Sequence, residues 1–390
     1  MQNFVYHNPT KILFGRNTVP LIGPETAELA KRVLLVFGRE SIKKSGLYNT
    51  VTTSLAKEGI FYVDHGGVIA NPLVGHVRAG IAKVREHDLG AIVAVGGGSV
   101  IDSAKAIAAG AVVEHDVWKF FIGKKSIKSS LPVITVLTLA AAGSEMNSGM
   151  VLTNEKTQEK FGFGHRLLYP KTSILDPQNT FSVPPDYTAY GAIDAISHVL
   201  EFYMTTLDPD TPVQDRLMEG LITNSMVNCE RCLEDPNNYN ARANLMWTAT
   251  LALNGLTAAG LGRVGFPMHM IEHSLSALYD VAHGAGLSVI IPGWLHWYSA
   301  TNPARIAQLG QNIFPNADLQ SKSVNVAADH TILLLRNWFT KTNSPVSLQE
   351  LDIPATDIPR IAKNSMGLAK VWRLKEYSRQ TVEEILTHCL

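Results

Sequence analysis

The stretch AIVAVGGGSVIDSAKAIAAGA, residues 91–111, decides the fold prediction. An apolar, β-branched run leads into three glycines and then into an Ala-rich segment, a pattern that indicates a buried strand followed by a helix. We predict that the helix begins near Val100 and that Ser99 and Asp102 form a capping box. Glycines let backbone N–H groups approach an anion, and a helix start favours negative charge, so the turn predicts a phosphate site. The alternative is an ordinary strand-to-helix turn with an N-cap.

Comparable strand-like runs surround this stretch and alternate with helical segments. The predicted strands lie at residues 32–38, 61–65, 91–96 and 132–138, and the predicted helices lie near residues 47–58, 72–87 and 100–110. Each helix is long enough for a right-handed crossover between parallel strands. The alternation therefore predicts a doubly wound parallel sheet, the usual frame of a dinucleotide-binding α/β domain.

The second half of the chain has a different composition and periodicity. Beyond about residue 185, Ala-, Leu- and Met-rich segments with helical spacing dominate, so we predict all-α structure there. Prolines at positions 177, 184 and 185 interrupt helix formation just before this change. We therefore predict a dinucleotide-binding α/β domain over residues 1–184 and an all-helical, metal-binding domain over residues 185–390, which suits the chain's length.

The composition of the 390 residues excludes several kinds of partner. Lysine plus arginine and aspartate plus glutamate number 34 each, so no net field attracts nucleic acid or an anionic membrane. There is no apolar run long enough to span a bilayer and no secretory leader pattern, so we expect a cytoplasmic protein. Cys229 and Cys232 form a C-x-x-C without further ligand partners, which we interpret as two structural thiols in a helix.

A second turn, FGRES at residues 37–41, follows the first predicted strand, where the adenosine ribose of a dinucleotide is expected. Arg39 and Ser41, beside Gly38, are suited to the 2′-phosphate of NADP, whereas a carboxylate would hold the free 2′-hydroxyl of NAD. Glu40 would weaken the phosphate contact if its side chain pointed inward. We predict NADP as the cofactor, with NAD as the alternative; a solvated surface turn is the plain interpretation.

Two segments of the predicted helical domain carry potential metal ligands. Asp194 and His198 lie four residues apart in GAIDAISHVLEF, so a helix places both on one face. His269 and His273 repeat this spacing in GFPMHMIEHSLSALYDVAHGAG, and His283 follows fourteen residues after His269, either four helical turns on or after a return turn. Carboxylate and imidazole together suit Fe(II) or Zn(II), one ion per chain. The spacing alone leaves open which of the later histidines bind the metal.

Several motifs, taken in order, resemble those of the iron-containing alcohol dehydrogenase family, in particular its NAD(P)-dependent butanol dehydrogenase and broad-specificity aldehyde reductase branch. They are FVYHNPTKILFG, GGGSVIDSAK, TLAAAGSEMN, ILDP, IDAISHVLE and HMIEHSLSALYDVAHG. The resemblance implies a dehydroquinate synthase-like plan of a dinucleotide-binding domain and a helical domain. It also implies interconversion of primary alcohols and aldehydes by a homodimer or larger homo-oligomer.

The resemblance further implies roles for individual residues. Asp194, His198, His269 and His283 would bind the metal, and His273 would stand beside it as a catalytic proton-relay group. Cofactor contacts would come from Asn71, Gly97, Gly98, Ser99, Asp102, Thr138, Asn147 and Lys160. The sequence departs from the family where many members have threonine before G-S-E, since Ala142 stands there and one hydroxyl contact to the cofactor is absent.

Two alternative functions fit the same scaffold. A glycerol dehydrogenase-like enzyme would oxidise a polyol, and a metal-dependent phosphate-ester hydrolase or lyase would bind substrate phosphate at the glycine turn. A lyase acting on a phosphorylated sugar acid needs clustered basic residues near the metal. Such residues are sparse around the predicted ligands, with Arg263 the one close by, which disfavours the lyase.

Overall fold

The computed structural model describes residues 1–208 and 210–390. Its strands are β1 (Lys11–Phe14), β2 (Arg32–Phe37), β3 (Phe61–His65), β4 (Ala91–Gly96), β5 (Val133–Leu137), β6 (Gly149–Asn154), β7 (Glu159–Gly164) and β8 (Thr172–Leu175). The first helices are α1 (Ile22–Ala27), α2 (Ser41–Lys44), α3 (Leu47–Lys57), α4 (Val74–Glu86), α5 (Gly98–Ala111) and α6 (Trp118–Phe121). They are followed by α7 (Pro185–Thr205), α8 (Pro212–Glu234), α9 (Tyr239–Ala252), α10 (Pro267–Tyr279), α11 (His283–Ser299), α12 (Pro303–Ile313), α13 (Val324–Lys341), α14 (Ile358–Trp372) and α15 (Arg379–Thr387).

Six strands form one parallel sheet in the order β1-β8-β5-β4-β2-β3. The four predicted strands are β2, β3, β4 and β5, and the three predicted helices are α3, α4 and α5, so the predicted doubly wound sheet is confirmed. Every residue of β4 and β5 is buried, as expected for inner strands of such a sheet. The sequence does not reveal β1 and β8, because a strand of 4 residues is too short to show a period.

An antiparallel hairpin of β6 and β7 follows β5 and lies outside the main sheet. Strand β6 packs against α5, the helix that follows the glycine turn. The backbone N–H of Val151 donates to the Asp102 carboxylate at 2.9 Å and joins the two elements. The hairpin therefore belongs to the surroundings of the glycine turn, a placement that the sequence pattern does not show.

The described chain divides into two compact units, which consist of residues 7–184 with 235–254, and of residues 1–6 with 185–234 and 255–390. One boundary between the two units lies between Pro184 and Pro185. A single boundary at residue 184 does not describe the units, however, because α9 packs within the α/β unit. Trp247 contacts Phe14 edge-on with 6.0 Å between ring centroids, and the Thr250 hydroxyl donates to the Glu145 carboxylate at 2.5 Å. A helix's own periodicity gives its apolar face but not the core that this face joins.

In the second unit, the regular structure of the described residues is helical, as predicted. Helix α7 packs along α8, and α11 contacts α7, α10, α13 and α15, which places α11 near the centre of the unit. Cys229 and Cys232 are buried in α8, in line with a structural role. Within residues 1–208 and 210–390, no helix combines the length and apolarity needed to cross a bilayer.

Candidate metal centre and dinucleotide site

Helix α7 carries three ionisable side chains along one face. Asp194, His198 and Glu201 follow each other at intervals of four and three residues, which places them on the same side of a helix. All three are buried, with exposed fractions of 4 %, 4 % and 0 %. Buried ionisable groups are costly unless other groups compensate them, so this face requires partners from elsewhere in the chain.

A helix–turn–helix brings the later histidines to this face. Helix α10 ends at Tyr279, Asp280 adopts the left-handed conformation with a φ of 54°, and α11 begins at His283. The chain therefore reverses between His269 and His283. Of the two arrangements that a fourteen-residue spacing allows, the structure has the return turn.

Three imidazoles converge on one carboxylate oxygen. Oδ1 of Asp194 lies 3.5 Å from Nε2 of His198, 3.6 Å from Nε2 of His269 and 3.5 Å from Nε2 of His283. Asp194 Oδ1 and His269 Nε2 are buried and have no hydrogen-bond partner among the described residues. A buried carboxylate oxygen without a partner is costly, which points to a group that binds at this centre.

The donor atoms suit a divalent metal ion: those of Asp194, His198 and His269 lie within 4.8 Å of one another, and His283 Nε2 lies 3.5 Å from Asp194 Oδ1. Ligands bound at about 2.1 Å in a tetrahedral shell stand about 3.4 Å from one another, close to the three separations around Asp194. A cation at the centre would satisfy the carboxylate oxygen and all three imidazole nitrogens together. Iron(II) and zinc(II) both accept imidazole and carboxylate ligands. Asp194, His198, His269 and His283 could therefore hold one such ion.

The charges around this centre are strongly coupled. Burial lowers the pKa of the His198 imidazole to about 3. Burial opposes protonation of His269 as well, but the carboxylates of Glu201 and Asp194 raise its pKa to about 10. Burial acts to raise the pKa of the Asp194 carboxyl, yet the surrounding imidazoles hold that pKa below its usual range. The site therefore favours an ionised carboxylate beside a positive charge, which either a proton or a metal ion can supply.

Two buried glutamates orient the imidazoles. One carboxylate oxygen of Glu201 contacts Nδ1 of His269, and the other accepts from the first backbone N–H groups of α10 at 2.5 and 3.1 Å. One carboxylate oxygen of Glu272 contacts Nδ1 of His283, and the other accepts from the Ser276 hydroxyl. Because each Nδ1–H donates to a carboxylate, each Nε2 keeps its lone pair for the centre.

The sequence prediction omits both glutamates. Their positions are the one signal available: Glu201 lies seven residues after Asp194 on the same helical face, and Glu272 stands between His269 and His273. Glutamate is rarely fully buried unless it is paired, so a glutamate on a predicted buried face indicates a partner. The pattern does not say which side chain that partner is.

His273 lies beside the centre. Its ring centroid is 6.2 Å from that of His269 and 5.5 Å from those of His283 and Trp372, and it is 3 % exposed. It forms a second group of potential ligands with Glu272 and His283, whose ligand atoms lie within 4.8 Å of one another. Because Glu272 contacts Nδ1 of His283, this second group adjoins the centre around Asp194 and holds one of its imidazoles in place.

The glycine turn follows β4 directly, and α5 begins at Gly98 without a side-chain cap. The predicted capping box is wrong, because tertiary partners occupy both side chains: Ser99 Oγ donates to the carbonyl of Ala70 at 2.5 Å, and Asp102 accepts from Ser144 Oγ at 2.5 Å. The first N–H groups of a 14-residue helix nevertheless point toward the turn and favour an anion.

The segment after β5 approaches the glycine turn closely. A Cβ atom on Gly97 would lie 3.1 Å from that of Leu139, and one on Gly98 would lie 3.0 Å from that of Ala142. Asn147, further along the segment, is buried, and its side-chain oxygen accepts from a backbone N–H at 2.8 Å. A turn without side chains, a helix start and the carboxyl end of a parallel strand together fit the phosphate groups of a dinucleotide.

The other predicted cofactor residues lie in the same α/β unit. Lys160 and Asn71 are buried, and the Lys160 ammonium donates to the Asn71 side-chain oxygen at 3.1 Å. Thr138 follows β5, and its backbone N–H donates to the carbonyl of Gly96 at 3.2 Å. The turn after β2 contains half-buried Gly38 and exposed Arg39, and exposed Ser41 is the first residue of α2.

Both halves of the chain resemble known proteins. The family model "Iron-containing alcohol dehydrogenase" matches residues 9–177, and the model "Fe-containing alcohol dehydrogenase family, C-terminal" matches residues 188–390. The probable NADH-dependent butanol dehydrogenase 1 of Bacillus subtilis (strain 168) is 42 % identical over 386 residues, which cover 99 % of each chain. The NADPH-dependent aldehyde reductase YqhD of Escherichia coli (strain K12) is 34 % identical over 366 residues, 93 % of this chain and 92 % of that one.

A solved structure shows the same fold over the full length. The NADH-dependent butanol dehydrogenase A of Thermotoga maritima matches with a TM-score of 0.95 and 44 % identity, covering 100 % of this chain and 99 % of that one. The two family models and these relatives agree with the resemblance that the sequence motifs indicate. The chain belongs to the iron-containing alcohol dehydrogenase family.

Proposed function

We propose that the chain is a metal-dependent oxidoreductase that interconverts primary alcohols of about the size of butanol and their aldehydes with NADP(H) or NAD(H). Its family and the named relatives, which are butanol dehydrogenases and an aldehyde reductase, support this activity. The observation that carries the proposal is the convergence of three imidazole Nε2 atoms on Asp194 Oδ1. In this proposal Asp194, His198, His269 and His283 hold one iron(II) or zinc(II) ion.

When bound, the metal supplies Lewis acidity to the substrate oxygen and the dinucleotide supplies or accepts the hydride. The residues of the chain orient both groups. Glu201 and Glu272 hold two ligand imidazoles in one tautomer, and the glycine turn offers backbone N–H groups to phosphate. His273, buried beside the centre, is proposed to carry a proton toward solvent.

A metal-removal assay tests this function. Iron- or zinc-loaded protein should oxidise NADPH or NADH when butanal is added, seen as loss of absorbance at about 340 nm. A chelator should abolish the signal, and restoring the metal should recover it. Preferred oxidation of glycerol over butanol would instead support the polyol dehydrogenase. Release of phosphate from an ester without oxidation of either dinucleotide would support the hydrolase.

The choice between the two dinucleotides is tested at Arg39, which is exposed at the end of β2. We propose that its guanidinium pairs with the 2′-phosphate of NADP. Replacing Arg39 by alanine should raise the KM for NADPH about ten- to a hundredfold, since a charge-assisted hydrogen bond contributes about 1.5–3 kcal/mol. The KM for NADH should change little and serves as the internal control. An equal rise for both cofactors would contradict the assignment.

A cytoplasmic location and a homodimeric or larger assembly belong to the same proposal. Both rest on the sequence features and the family resemblance described above. Light scattering of the purified protein and fractionation of cells test them.

A further inference from the structure

Lys105 is a charged residue inside the core of the α/β unit. It lies in α5 and is 0 % exposed. Its ammonium donates to Ser144 Oγ at 2.9 Å, to the carbonyls of Asn147 and Gly149 at 2.9 and 2.8 Å, and lies 3.2 Å from the Asn147 side-chain oxygen. An ammonium has three donors, so these four acceptors saturate it. All of them belong to residues 144–149.

Asp102, almost one turn earlier in α5, binds the same segment. Its two oxygens accept from Ser144 Oγ at 2.5 Å and from the backbone N–H of Val151 at 2.9 Å. Burial raises the pKa of Asp102 and lowers that of Lys105 to about 8, which shows that desolvation opposes both charges. Ser144 Oγ links the two groups, because it accepts from the Lys105 ammonium and donates to the Asp102 carboxylate. Since taking two charges out of water costs free energy, we interpret both groups by the conformation that they impose on the segment from Ser144 to Val151.

The segment held in this way forms one wall beside the glycine turn. Its start approaches the turn closely, since a Cβ atom on Gly98 would lie 3.0 Å from that of Ala142. The Asn147 side chain closes the segment on itself, because its amide donates to the carbonyl of Ala142 at 3.1 Å. A movement of residues 142–149 that displaces Ala142 would therefore change the space beside Gly98.

We propose that Lys105 is a positioning residue for the dinucleotide: it fixes residues 142–149 relative to the glycine turn without touching the cofactor. Asp102 and Asn147 help Lys105 to hold this segment, because their side chains form hydrogen bonds with residues 142–151. The inference rests on the proposed function, because it takes the glycine turn as the phosphate site. Lys105 is otherwise not used by the proposed chemistry.

Lys105→Met tests the proposal, since methionine has a similar length but no charge or donor. We expect residues 142–149 of this variant to hold the ordered conformation about a tenth of the time. The Kd for NADPH, measured by fluorescence titration without aldehyde, should then rise about tenfold. The KM for NADPH should rise in parallel, while kcat, the KM for butanal and metal content stay within about threefold of the wild type. Hydrogen exchange in peptides covering residues 142–151 should increase in the unliganded variant and fall when NADPH saturates it.

Leu55→Ala is the matched control, because it removes a fully buried side chain of the same unit in α3. It should lower the thermal midpoint but leave the Kd unchanged. Ser144→Ala is a milder change and replaces Lys105→Met as the test if the methionine variant does not fold. It should give a smaller rise of the Kd for NADPH and the same increase of hydrogen exchange in residues 142–151. An unchanged Kd in the folded Lys105 or Ser144 variant, or an equal rise in Leu55→Ala, overturns the proposal. If the wild type binds neither NADPH nor NADH, the proposed function fails and this inference with it.

Discussion

Replacing His269 by alanine should abolish metal retention and turnover together. His269 Nε2 is buried, lies 3.6 Å from Asp194 Oδ1 and has no hydrogen-bond partner among the described residues, so its removal deletes one of four converging donors. Lewis-acid assistance contributes several kcal/mol to such a reaction, and a loss of about 4 kcal/mol lowers the rate about a thousandfold. Elemental analysis of the purified variant and steady-state rates with butanal measure the two effects. Circular dichroism checks that the variant is folded.

His273→Ala is the matched control for this variant. His273 lies four residues further along α10 and is also buried, but it is not one of the imidazoles near Asp194 Oδ1. The control should keep its metal content near that of the wild type and show a lower kcat, as expected for a residue that assists proton transfer. Full metal content and full activity in His269→Ala would contradict the ligand assignment. Loss of metal in His273→Ala would move the ligand role to that residue.

Replacing Glu201 by glutamine should weaken metal binding about 10- to 100-fold, although this residue is not a proposed ligand. Glu201 accepts three N–H groups, one from Nδ1 of His269 and two from the start of α10, and it needs both oxygens to do so. Glutamine has one oxygen. If that oxygen faces the backbone, the amide N–H2 meets Nδ1 and favours the tautomer with the proton on Nε2, which cannot bind a metal. If the amide turns over, its donors face the backbone N–H groups instead.

Metal titration followed by a competing chelator measures this effect. Glu219→Gln is the control, because Glu219 is buried in the same unit and accepts from Tyr203, Arg216 and Asn312 at 2.8–2.9 Å, apart from the proposed metal ligands. Both variants should lower the thermal midpoint, since each leaves buried donors without a full set of acceptors. Metal affinity should fall in Glu201→Gln alone. Equal affinity in the two variants would show that Glu201 has no role in orienting His269.

Much of the fold follows from local sequence patterns. The strand, glycine turn and helix at residues 91–111 predict β4 and α5, since a buried strand and a buried helix differ in length and period. The short outer strand β1 and the hairpin of β6 and β7 carry no comparable signal, because short or isolated pairs of strands depend on the elements that cover them. The capping box failed for a related reason. Ser99 and Asp102 have the right spacing, but partners distant in the sequence compete for both side chains.

The sequence by itself determined the parallel sheet, the helical second half, the glycine turn, and two pairs of potential ligands at helical spacing, Asp194 with His198 and His269 with His273. Each of these depends on residues that are neighbours within one element. Only the tertiary structure decided that His269 and His283 face Asp194, that Glu201 and Glu272 hold their Nδ1 atoms, and that α9 joins the α/β unit. Periodicity fixes which face of a helix is buried. It does not fix where the chain reverses at Asp280 or which helix a buried face meets, because packing between distant segments sets both.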